Sequence, residues 1–250
     1  YRKPRLMAGN LTLDGVIHYH SSHISSIFFQ EVTVLKHSRH FFVDLAIGFL
    51  FLFSFIGLGL IFVLLFRPLY LFDLHFLHLP EVTGYSKEEI LQNYSYLIRT
   101  CLPFFHGTFQ LPTMPSSASG IQHFDEVRRI FYWIYGISFA SILTLIPVVY
   151  RKKKNQDFRY LKVSGILVLI LPVLLGVLSI VSFHTVFVTM HTVLFRNDLW
   201  LFDPDTDPII HILPEEYFFH CAAALFLFLI AGGIVLLLRY RHQYIRITNS

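Results

Sequence analysis

Histidine is the main reactive side chain in this 250-residue sequence, which contains 14 of them. Motifs for most other chemistries are missing: there is no phosphate-cradling glycine loop, no Gly-x-Ser-x-Gly elbow, no Cys-x-x-Cys pair and no His-Glu-x-x-His. An imidazole titrates near pH 6.5, so it can take up a proton and return it at physiological pH. Eight histidines fall in or beside the two polar segments that separate long apolar stretches: His75, His78, His106, His123, His184, His191, His211 and His220. Most imidazoles in such places are satisfied polar tips. His184 and His191 differ because the surrounding stretch 163–195 carries no charged residue, and ionisable groups at membrane depth are costly and tend to mark sites. Seven residues apart, they share one face if the helix continues that far. His123 stands just past a break made by Pro103, Pro112, Pro115 and residues 116–120, and leads through Arg128 and Arg129 into an apolar stretch.

Metal binding is the rival chemistry. His75-x-x-His78 and His18-x-His20-x-x-His23 offer imidazoles at short spacing, but neither has the cysteine or carboxylate complement of a structural zinc site. Neither a metal nor a cofactor is expected.

The elements that must position these histidines are membrane spans. Four uncharged stretches, 45–66, 130–150, 163–183 and 218–238, each have the roughly 20 residues that cross a ~30 Å hydrocarbon core. Hydrophobic residues make up 54% of the chain and charged ones 14%, where a globular domain carries about a quarter charged. The first stretch reads as a retained span rather than a cleavable signal peptide. The expected organisation is a cytoplasmic segment 1–40, spans at 41–66, 130–150, 163–183 and 218–238, outward loops at 67–129 and 184–217, a basic cytoplasmic loop at 151–162 and a cytoplasmic tail at 239–250. Lysine and arginine placement sets the orientation. The first 40 residues hold five basic and two acidic residues, the 151–162 link six and one, and the tail Arg239, Arg241 and Arg246 with no acid. The 67–129 loop holds five basic and six acidic residues, and the 184–217 loop one and six. Cytoplasmic loops retain the positive charge, so both termini are read as cytoplasmic. Nucleic acid is excluded as a partner.

Within the loops, 67–79 alternates polar and apolar residues like a strand or an interface-hugging segment. Ser86 with Glu89 forms a capping box, so a helix is expected to begin there and run through Arg99. Residues 103–105 and 109–111 are expected to dip into lipid, with Trp200 and Tyr217 at the membrane–water interface. The fold class expected is an all-α transmembrane bundle of four helices with a small mixed extracytoplasmic cap, packed through Gly57, Gly59, Gly176, Gly232 and Gly233.

Two motifs carry a resemblance. His123-Phe124-Asp125-Glu126-Val127 resembles a His-Met-x-Asp-Val motif, with Phe124 in place of methionine and Glu126 where aspartate is common. The stretch from Met190-His191 through Phe195, Trp200-Leu201-Phe202-Asp203-Pro204 and on to Pro214-Glu215 resembles a Phe-His-x-x-x-Phe…Trp-Leu-Phe-Asp-Pro signature. Over about residues 40–240 the chain is similar to the lipoprotein intramolecular transacylase family of Gram-positive bacteria. The resemblance implies an enzyme that moves the sn-2 acyl chain of a diacylglyceryl lipoprotein onto the α-amino group of its N-terminal cysteine. It implies His123 and His191 as the catalytic pair, with His123 the base, and no cofactor. Glu126 is expected to orient His123 or a neighbouring arginine. Arg128 is expected to snorkel to the interface, or else to clamp substrate, and His184 is the spare catalytic candidate. Asp203, Asp207 and Glu215 are expected to structure the loop. Lipoproteins and membrane lipid are the expected partners of a monomer in the cell membrane, with its active site at the outer leaflet.

Two other classes remain open at this point. A non-enzymatic sensor or assembly protein would tolerate replacement of both histidines. A small transporter would need a polar path at the midplane, yet no span carries a central charge, although Pro147 and Pro172 could kink spans two and three.

Overall fold

The computed structural model describes residues 40–105 and 107–248. The histidines at 18, 20 and 23, the rest of segment 1–39, and His106 lie outside the described residues. The chain divides into two units, 1–44 and 45–250. Of the first, the opening turn of a helix from His40 is described, and the architecture below is that of the second.

Four of the described helices are long and apolar enough to cross a membrane: α1 (His40–Leu65), α5 (Ala118–Lys154), α6 (Arg159–Phe195) and α8 (Glu215–Thr248). Four shorter ones complete the order: α2 (Arg67–Phe76), α3 (Leu79–Thr83), α4 (Lys87–Cys101) and α7 (Ile209–Ile212). At 37 residues each, α5 and α6 are ~55 Å long and must outrun a ~30 Å hydrocarbon core. Their ends can therefore hold polar groups beyond the apolar span.

The bundle closes through small residues. A Cβ added at Gly165 of α6 or at Gly233 of α8 would stand 3.1 Å from the carbonyl oxygen of the other glycine, so these helices touch backbone to backbone. At the other end Phe183 and Phe187 meet Phe219 and Phe218, which makes the pair antiparallel. Gly59 admits Leu225 and Phe228 of α8, Gly232 admits Phe55 of α1, and Gly57 faces Ser138 of α5. Ser138 Oγ also donates to the Ser54 carbonyl at 3.1 Å. Of the four, α1 is the most enclosed, 39% buried over its apolar window against 17% for each of the others.

Among its described residues the cap is built of short helices joined by turns and loops, with no strand, which corrects the expected mixed cap. Residues 67–76 form a helix because Pro68 fits the first turn, and Tyr70, Asp73 and Leu74 then recur at helical spacing on one buried face. Gly84, with φ of 75°, ends α3 in the left-handed region. Ser86 caps α4 as expected, its hydroxyl accepting from Glu89 N at 3.2 Å. Phe109, Leu111 and Tyr217 do not reach lipid; they are buried in the cap core with Tyr70, Ile90, Tyr94 and Ile212. Enough helical surface converges there to take these residues inward, while Phe104 remains 89% exposed. In α6 the backbone breaks at Ser182 rather than at Pro172, and the Ser182 hydroxyl caps the restarted helix by accepting from Thr185 N at 3.4 Å.

Candidate active site

Helix α5 begins at a double cap. Ser117 Oγ accepts from Gly120 N at 3.0 Å, and the buried Asp207 accepts from Ser117 N at 2.8 Å. The carboxylate thus sits at the positive end of the helix dipole and fixes the second loop to the start of α5. Two turns into this helix, His123 points inward and is 5% exposed. His191 lies one turn before the end of α6 and is 8% exposed.

The two rings face each other. Their centroids are 6.0 Å apart and their planes 29° from parallel. Phe195 touches both, at 4.6 Å from His123 and 5.5 Å from His191. Phe202 closes on His123 at 5.4 Å, while Phe187 and Trp200 close on His191 at 4.1 and 4.9 Å. Hydrogen bonding then distinguishes the nitrogens. His191 Nδ1 lies 2.8 Å from the Phe187 carbonyl, which can only accept, so the ring carries its proton on Nδ1. In the neutral ring Nε2 is left as a lone pair. His123 Nδ1 is buried and has no hydrogen-bond partner among the described residues. A buried polar atom without a partner requires an explanation, and a substrate group is one.

The remaining expected residues lie around this pair. Glu126, one turn after His123, makes no hydrogen bond to it. Its carboxylate accepts from Asn197 Nδ2 at 3.0 Å and from Gln122 Nε2 at 3.3 Å, and lies 3.8 Å from Arg129. Arg128 pairs with Asp125 at 2.8 Å and donates to the Gly107 carbonyl at 2.7 Å, with its guanidinium over the Phe105 ring. That arrangement ties Phe105 and Gly107 to α5. His184 is largely exposed and donates to Glu215 at 2.8 Å.

Comparison with known proteins bears on the chain as a whole. The profile of the family described as Lipoprotein intramolecular transacylase Lit matches residues 45–218, which contain both rings. The chain belongs to that family. It is also similar to Lit from Bacillus cereus as solved in meso, with 34% identity and a TM-score of 0.81 over 84% of this chain and 97% of the other. Two further structures of the Bacillus cereus protein carry a histidine replaced by arginine or by alanine. Each is 32% identical with a TM-score of 0.77, covering 88% and 87% of this chain and 98% and 100% of theirs. No curated protein sequence matches the chain.

In this member of the Lit family the second motif packs around the histidine pair. Its phenylalanines at 195 and 202 pack on His123, and Trp200 packs on His191. Sequence reading did not single out Asn197, which bonds to α5 and to the turn after α6. The available signal was an asparagine two residues after the last apolar residue of a helix, a position that favours side-chain bonds to nearby backbone. Asp203 accepts from Asp205 N at 3.0 Å, and Asp207 and Glu215 are likewise occupied with structure.

Proposed function

We propose that His123 and His191 together carry the protons of an O-to-N acyl transfer within one lipoprotein molecule. As a family member, the chain is a membrane-integral lipoprotein intramolecular transacylase, hence an acyltransferase. In our reading the sn-2 chain of the diacylglyceryl group moves to the α-amino group of the N-terminal cysteine, giving a lyso-form lipoprotein. The observation that carries the proposal is the facing pair of buried imidazoles with two uncommitted nitrogens, Nε2 of His191 and Nδ1 of His123.

The proton balance suits two bases. An α-amino group has a pKa near 8 and arrives largely as ammonium. Ammonium plus ester gives amide, alcohol and one released proton. His191 Nε2 takes the ammonium proton, leaving a neutral amine to attack the ester carbonyl. His123 Nδ1 takes the second proton as the tetrahedral intermediate forms and returns it to the departing glycerol oxygen. The protonated rings stabilise the oxyanion in a pocket walled by aromatic side chains, where water competes poorly. No serine or cysteine nucleophile is needed, because amine and ester belong to one substrate. Holding them together can supply up to about 7–11 kcal/mol of the barrier in ideal geometry. The charge distribution supports termini on the cytoplasmic face and a site at the outer leaflet. We take the protein to work as a monomer surrounded by lipid.

A crossover experiment tests the transfer. Purified protein receives an equimolar mixture of two synthetic diacylglyceryl lipopeptides that differ in peptide mass, only one of them bearing a deuterated sn-2 chain. The proposal requires each N-acylated product to keep its own chain. Label on the other peptide, or N-acylation by the sn-1 chain, would contradict it.

A further inference from the structure

The two histidines sit on helices that do not pack closely along their lengths, α5 and α6, and no hydrogen bond joins their rings. Something local must set their separation. The aromatic contacts fill space but carry little direction, whereas Asn197 makes three directed bonds. Directly before it, Arg196 has φ of 54° and ψ of 29°, which turns the chain out of α6. Asn197 Oδ1 then accepts from Leu199 N at 3.1 Å, and its backbone carbonyl accepts from Trp200 Nε1 at 2.9 Å. Trp200 is thereby held against His191, with ring centroids 4.9 Å apart. The third bond leaves α6 altogether, running from Asn197 Nδ2 to Glu126 Oε2 at 3.0 Å. Glu126 is one helical turn from His123, and Gln122 and Arg129 steady its other oxygen.

We propose that Asn197 is a positioning residue for the transfer, fixing the distance and angle between His123 and His191 through its bond to Glu126. It makes no hydrogen bond to either ring and acts through Glu126 on one helix and Trp200 on the other. The inference rests on the histidine-pair reading. A bond between a neutral amide and a carboxylate is well suited to holding two helix ends in register. It is charge-assisted, and its polarity specifies which side must donate. Misplacing reacting groups by about 1 Å can cost on the order of 100-fold in rate.

Reversing that polarity supplies the test. Asn197→Asp keeps the acceptor for Leu199 N but sets two carboxylates against each other. Adding Glu126→Gln restores one donor and one acceptor with the direction reversed. The single-turnover rate on a saturating diacylglyceryl lipopeptide, its half-saturation concentration and the melting temperature in detergent are measured for each variant. For Asn197→Asp we expect a rate at least ~10-fold lower with half-saturation within about twofold of wild type, and for the double variant recovery to within about threefold. An Asn197→Asp rate within twofold of wild type, or a double variant no faster than the single, would overturn the proposal. Should Asn197→Asp fail to fold, Asn197→Ala and Glu126→Ala decide: a double variant no slower than the slower single supports the coupling, and additive losses refute it. His123→Asn and His191→Asn run alongside. If both stay active the histidine-pair reading fails; if they are dead while Asn197→Asp matches wild type, only the role of Asn197 fails.

Discussion

Histidine is used in two different ways at the cap end of this bundle, and the contrast separates structure from chemistry. In the first neighbourhood His220 of α8 donates from Nδ1 to Asp73 of α2 at 2.6 Å, and Asp73 is wholly buried. Burial pushes the Asp73 carboxyl above its ordinary range, an effect the hydrogen bond and charge of His220 partly reverse. His184 is committed in the same way, to Glu215, but in the open. In the second neighbourhood His123 and His191 pack against several aromatic rings and have no carboxylate in hydrogen-bond contact. A ring held by a carboxylate acts as a tie between elements. A ring whose only bond is to a backbone carbonyl, or whose Nδ1 has none, keeps a nitrogen unbonded within the protein, which our proposal assigns to substrate.

Variants can break this contrast, and the largest effect is expected in the second neighbourhood. His191→Asn should lower the single-turnover rate at least ~100-fold with little change in melting temperature, since removing a positioned acid–base group typically costs about 10²–10⁴-fold. A matching fall in stability would instead class His191 with the ties. The first neighbourhood should behave oppositely. His220→Ala leaves the Asp73 carboxylate buried without its donor, a loss of roughly 3 kcal/mol that should appear as a lower melting temperature in detergent. Activity per folded molecule should persist; a dead but well-folded variant would extend the catalytic set to α8. The smallest effect belongs to His184→Gln. His184 itself is largely exposed and such surface pairs contribute about 0–1 kcal/mol, so neither rate nor melting temperature should move appreciably. A large rate loss there would shift the catalytic role from His191 to the other histidine of α6.

The sequence shows the bundle more clearly than the cap, for a physical reason. A span must satisfy its backbone internally and remain apolar for about 20 residues, so it is recognisable without knowing its neighbours. The start of α4 is equally legible because Ser86 and Glu89 act within one turn. Residues 67–79 mislead because alternation and helical spacing coincide over a short segment, and only burial of Tyr70, Asp73 and Leu74 on one face decides between them. Phe109 and Leu111 are as apolar as any lipid-facing side chain, and only the assembled cap draws them inward. For the site, His123 and His191 could be named from motif and depth. Their 6.0 Å separation could not, because it depends on how the start of α5 meets the end of α6. The same holds for the Asn197–Glu126 bond, whose partners are 71 positions apart in the chain.

The most direct test of the central claim is the mass and fragmentation of a lipoprotein N-terminus. It should be made in a host that produces diacylglyceryl lipoproteins, lacks an N-acylating enzyme of its own, and expresses this chain as wild type, His123→Asn or His191→Asn. The account predicts that wild type yields an N-acylated cysteine with a monoacylglyceryl thioether at unchanged total lipid mass, and that either variant leaves the diacylglyceryl cysteine intact. Unmodified diacylglyceryl cysteine beside well-folded wild-type protein, or full conversion by both variants, would contradict it.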